Sequence, residues 1–83
     1  MALEQRLRRV FAEVFEIPED EVTAELAYRG IPQWDSVAHM ALVAAIDSEF
    51  GTLLETDDVL DLSSFAMAVG ILRDRHGIGD GER

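Results

Sequence analysis

Apolar residues fall at Leu3, Leu7, Val10, Phe11, Val14 and Phe15, with Glu4, Arg6, Arg8, Arg9 and Glu13 between them. This is the spacing of one helical face, so residues 2–16 read as an amphipathic first helix. It ends at Ile17-Pro18, because the residue before a proline avoids the helical region. Residues 17–35 form a long connection holding Pro18, Gly30 and Pro32, with Val22, Leu26, Tyr28 and Ile31 as its anchors on the core. From Ser36 the chain is apolar to Phe50 and stops at Gly51, which predicts a second helix. On that helix Leu42, Val43, Ile46 and Phe50 share one side, with His39 at the top of the stripe. Val37, Met40, Ala41 and Ala44 fall elsewhere, so the helix is apolar on more than one face. Either the long loop covers this second strip, or it is a docking surface.

A short third helix is expected over Thr56 to Asp61, capped by Thr56 or Asp57, with Val59, Leu60 and Leu62 facing inward. A fourth opens after Ser63-Ser64, buries Phe65, Ala68, Val69 and Leu72, and ends near Arg75-His76-Gly77, where basic residues suit a helix C-terminus. No alternating strand pattern appears. The fold expected is all-α: an antiparallel four-helix bundle of three longer helices and a short third one, with a long loop between the first two. Residues 1–77 make one domain and residues 78–83 a glycine-rich, flexible tail.

Composition narrows the partners. The 83 residues contain no cysteine, which excludes disulfides and thiolate metal sites and fits a cytoplasmic protein. Neither a membrane span nor a signal-peptide pattern is present. The net charge of −10 is unevenly placed: residues 17–62 hold eleven acids and one base, Arg29, while the segments on either side are balanced. Such a field repels nucleic acid and anionic lipid and attracts basic protein surfaces. It also serves simply as a solvated surface.

The candidate chemistry sits at Trp34-Asp35-Ser36-Val37. Asp and Ser are helix-capping residues, so a carboxylate and a hydroxyl are expected at the exposed, positive end of the second helix. That place suits a plain cap. It also suits a serine that receives a phosphate-linked group.

Read together, these residues resemble the acyl carrier protein and related peptidyl carrier families. The likeness lies in Asp35-Ser36-Val37 opening the second of four helices, in Leu42, Ile46 and Phe50-Gly51, and in Glu55-Thr56-Asp57-Asp58. The loop from Ile17 to Thr23 and Ser63-Ser64-Phe65 also fit, so about residues 3 to 76 are covered. The resemblance implies a carrier without catalytic residues of its own. It implies that a phosphopantetheinyl transferase moves 4'-phosphopantetheine from coenzyme A onto Ser36, whose arm then holds acyl groups as thioesters. Asp35 would cap the helix or hold a metal ion and the transferase during loading. Partners would be acyl-loading and acyl-transfer enzymes with basic docking surfaces, met by Val37, Met40, Ala41, Ala44, Asp47, Asp57 and Asp58; the carrier itself would be a monomer. Valine at 37, Trp34 before Asp35, and His39-Met40 look more like discrete carriers of specialised pathways, polyketide or three-carbon-unit loading.

Other readings of the same residues stand beside this one. The chain could be an unmodified acidic helical module that binds a basic partner. A hydrolase built on Ser36 and His39 would need an orienting acid and an oxyanion hole, and no Gly-x-Ser-x-Gly is present. His39 reads as a partly buried residue at the core rim, or as a contact for the arm or its cargo. His76 reads as a surface residue at a helix end. Trp34 is a loop anchor or an exposed contact, and Arg29 pairs with a loop carboxylate. Glu55, Asp57, Asp58 and Asp61 lack EF-hand spacing and read as a recognition surface or solvated charge rather than a metal site.

Overall fold

A computed structural model describes residues 3–78. It is all-helical: α1 is Leu3–Phe15, α2 Ser36–Phe50, α3 Thr56–Asp61 and α4 Phe65–Gly70. The backbone stays helical beyond α4 through a π-helical turn, Ile71–Arg75. The expected bounds of α2 and α3 hold. The fourth helix is shorter as an α-helix than expected, because its last turn widens to π geometry.

Helices α1 and α2 run antiparallel. Near the start of α1, Arg6 bonds through Nε to the Glu49 carboxylate at 3.1 Å and donates from Nη2 to the Glu49 carbonyl at 3.0 Å, near the end of α2. At the other end of α1, the Phe15 ring lies 5.2 Å from Trp34, just before α2. Phe11 is the hub of the core: it meets Phe15, Trp34 and Phe65 edge to face at 5.8, 5.5 and 5.1 Å. Leu7, Leu42, Ile46 and Leu72 fill the space around these rings. Burial of a large apolar side chain contributes roughly 1.5–3 kcal/mol, so this one cluster holds the three main helices together. Val14 and Phe50, expected inside, are only half-buried, while Ala12 joins the core.

The long connection is ordered. Glu19–Glu21 make a single 3₁₀ turn, and Val22 and Leu26 are buried behind it. Arg8 reaches across from α1 and donates from Nε to the Val22 carbonyl at 3.0 Å. Two backbone bonds then strap the loop to the α3–α4 junction: Tyr28 N–H to Ser63 O and Phe65 N–H to Leu26 O, both 2.9 Å. Ile31 is half-buried, whereas Tyr28 lies at the rim rather than in the core. The turn at 27–30 needs glycine at its end. Gly30 N–H donates to Ala27 O at 2.7 Å, and a Cβ on Gly30 would sit 2.8 Å from that oxygen.

Two expectations about α3 are corrected. Its N-cap is Glu55, not Thr56 or Asp57; Glu55 and Asp58 form a reciprocal capping box. Leu60, expected to face inward, is 74% exposed, because the side of α3 that meets the core carries Val59 and Asp58 instead. Of the expected flexible tail, Ile78 is half-buried and donates to Leu72 O at 3.0 Å; residues 79–83 lie outside the described residues.

Candidate functional site

The end of the long loop folds back on itself before α2 begins. Trp34 N–H donates to Ile31 O at 3.1 Å, and Arg29 N–H donates to Trp34 O at 3.0 Å. These bonds drive Trp34 inward, where its side chain is 0% exposed. Of its two expected roles it takes that of anchor. The next residue turns outward in extended conformation, and Asp35 becomes the N-cap: its Oδ1 accepts from Ala38 N–H at 2.9 Å. Its carbonyl accepts the first helical bond, from His39 N–H at 2.8 Å. Ser36 is then the first residue of α2, exposed, with its hydroxyl hydrogen-bonded to no described residue. The cap is therefore Asp35 alone. Because the first N–H groups of a helix lack intrahelical acceptors, those of Ser36 and Val37 stay open beside the hydroxyl, at the positive end of the dipole.

The second apolar face of α2 is uncovered. Val37 is 79% and Met40 56% exposed, and Ala41 and Ala44 continue the same strip down the helix. The long loop packs on the other side. Leu60 of α3 adds a further exposed apolar side chain.

Several acids expected at a recognition surface have internal partners. Asp47 Oδ1 accepts from Thr52 Oγ1 and from Leu54 N–H, both at 3.0 Å, and so shapes the turn after α2. Asp58 is only 6% exposed and is not available at the surface. Its Oδ1 accepts from Arg75 Nη1 at 2.9 Å, and its Oδ2 lies 2.8 Å from His76 Nε2 and accepts from Glu55 N–H at 3.1 Å. First Arg75 and then His76 pull this carboxyl down from 3.8 to about 2, against the opposing effect of burial. Arg75 also binds Asp61 at 2.8 Å. His76, expected to be a surface residue, is thus a half-buried member of the tie between α3 and the end of the fourth helix. Asp57, by contrast, is exposed. Arg29 stands over the Tyr28 ring at 5.4 Å, its main partner, and the loop carboxylate of Asp35 attracts it more weakly; together they hold its guanidinium above the usual arginine value. Among the described residues no group of acids and histidines has a metal-holding arrangement.

Sequence reasoning missed a relay through His39. The Trp34 indole Nε1–H donates to His39 Nδ1 at 2.9 Å, and His39 Nε2 lies 3.0 Å from Val59 O. An indole nitrogen can only donate, so Nδ1 is the acceptor and the ring proton sits on Nε2, which donates to Val59. The Trp34 and His39 ring planes are within 18° of parallel with centroids 6.1 Å apart, the arrangement of two rings joined edge to edge by the indole–imidazole bond. The relay pins α3 to α2 and leaves no free imidazole nitrogen to activate a serine. Beside it lies an open, mainly apolar cleft of about 230 Å³, lined by Tyr28, His39, Val59, Leu60, Leu62 and Ser63. The signal available in sequence was the tryptophan–histidine pair five residues apart across a helix start. Val59 as the third member depends on tertiary packing.

No protein-family model matches the chain. It is similar to the acyl carrier protein of Petrotoga mobilis, with 26% identity over 76 residues that span 92% of this chain and 89% of that protein. The likeness is distant but nearly end to end. No helix of the described residues is long and apolar enough to cross a membrane.

Proposed function

We propose that this chain is a carrier protein that holds acyl groups as thioesters on a 4'-phosphopantetheine arm attached to Ser36. The observation that carries the reading is the division of labour at the start of α2. Asp35 closes the cap, and the neighbouring Ser36 hydroxyl is left exposed with open N–H groups beside it. The residues fit the group: a phosphodiester at this position would meet those N–H donors and the positive end of a fifteen-residue helix. When attached, the arm supplies a thiol on a long tether, which raises the local concentration of cargo for a partner. The chain's own residues present the attachment point and a docking strip of Val37, Met40, Ala41 and Ala44 on α2, with Asp57 as an exposed acidic contact on α3. Partners would be the phosphopantetheinyl transferase and acyl-loading and acyl-transfer enzymes with basic, partly apolar docking surfaces. The occupied imidazole of His39 argues against a serine hydrolase. A pathway of the polyketide or three-carbon-unit type is favoured by the likeness of Val37, Trp34 before Asp35 and His39-Met40 to discrete carriers of specialised pathways.

The test is mass. The purified chain is incubated with coenzyme A, magnesium and a broad-specificity phosphopantetheinyl transferase. The wild type gains one phosphopantetheine and Ser36→Ala gains none. An unchanged wild-type mass across several transferases would instead favour the unmodified acidic interaction module.

A further inference from the structure

Ser36 and His39 are three positions apart on α2, a spacing that puts side chains on one face with about 5–6 Å between Cβ atoms. A group tethered at Ser36 therefore starts at the mouth of the cleft that His39 lines. We infer, building on the carrier reading, that this cleft seats only a short cargo, and that His39 sets the limit by barring an extended alkyl chain from the bundle interior.

The first ground is that the cleft, of about 230 Å³, lies open on the surface, so a chain resting in it is not enclosed. The second is the rigidity of its inner wall. To pass between α2 and α3, a chain must displace His39, which is bonded at both nitrogens, to Trp34 and to Val59. Moving the imidazole would strand the indole N–H in a site with 0% exposure. Behind it stand the fully packed rings of Trp34, Phe11 and Phe15. The exposed rim at Leu60 and Ser63 is open to a few carbons; the interior is closed to many.

The chain has no cysteine, so Ser36→Cys creates a single thiol that propyl or decyl methanethiosulfonate converts to a short- or long-chain disulfide. The attachment is chemical, so the result does not depend on whether any transferase loads Ser36. Thermal midpoints are measured together with the NMR resonances of the Trp34 indole and the Val59 and Leu62 amides. Burying only two methylenes would raise the midpoint by roughly 6–13 °C. The expected result is that the decyl adduct is no more stable than the propyl adduct and that the indole resonance does not move. A decyl-specific rise with a shifted indole resonance would overturn the inference. Adding His39→Ala should let the decyl chain, and not the propyl, raise the midpoint over that of the unalkylated double variant. If it does not, the limit is not set by His39. The comparison with His39 intact stands even where His39→Ala fails to fold.

Discussion

Replacing Asp58 with asparagine keeps the side chain's shape and removes its charge. In the native protein this carboxylate accepts from Arg75, Glu55 and His76 at 2.9, 3.1 and 2.8 Å. Its pKa falls from 3.8 to about 2. A depressed carboxyl contributes stability that is fully present above the unfolded value and is lost as pH falls through the folded one, here between about pH 4 and pH 2. A shift of that size corresponds to roughly 2.5 kcal/mol at about 1.4 kcal/mol per unit. Arg75 is 43% exposed, and solvent screens its share, so about 1–2 kcal/mol is the expected loss in Asp58→Asn at neutral pH. The asparagine amide would also set a donor against the Arg75 and His76 donors. For a domain of this size the thermal midpoint should drop by roughly 4–15 °C. Denaturant unfolding of both proteins from pH 7 down to pH 2 is the assay, and their stabilities should converge at the acid end. Equal stability at neutral pH would refute the reasoning. So would a difference that persists undiminished at pH 2, because the loss would then be one of packing and not of charge.

Other outcomes follow from the same geometry. Because Asp35 is the cap, Ser36→Ala should change unfolding stability by no more than about 0.5 kcal/mol while abolishing arm attachment, read by chemical denaturation and mass spectrometry. Asp57 is exposed in the first turn of α3, so Asp57→Lys should cost about 1 kcal/mol through the helix dipole, leave the fold intact and slow loading by the transferase. Added salt should slow the wild type more than this variant, and equal salt dependence of the two would remove Asp57 from the docking surface. His39→Leu strands the buried Trp34 N–H and the Val59 carbonyl, at a cost of about 1–3 kcal/mol, and hydrogen exchange should accelerate in α3 more than in α1.

The helices were legible in the sequence because their signals are local. Ser36–Phe50 is bounded by an aspartate cap and by Gly51, which takes the left-handed conformation at φ 66°. Thr56–Asp61 stood between two turn clusters, and its bounds could be read, but its cap could not. Glu55 is a poor capping residue on its own and serves only because Asp58 closes the reciprocal box. The inward assignment of Leu60 failed for a related reason. A six-residue helix presents too few positions to fix its rotation, and tertiary bonds from His39 and Arg75 set it instead. The exposure of the α2 strip could not be decided from periodicity, because whether the long loop covers it depends on the straps from Tyr28 and Phe65.

The acidic segment shows why a charge count could not locate a recognition surface. Its net charge is real, but the structure divides the acids by occupation. Asp47 shapes a turn, Glu49 holds Arg6, and Asp58 and Asp61 bind Arg75. Reversing any of these perturbs packing as well as field, so a loss of binding in such a variant would not separate docking from folding. Asp57 and the exposed Val37 and Met40 are where the two effects come apart, since nothing inside the bundle depends on them. The division also gives α3 its character. It is too short to be stable alone, and it is held at one side by a neutral histidine and at the other by a charged cluster. Removing either tie should loosen the same wall of the cleft, and the charged one should weaken as pH falls from about 4 to about 2.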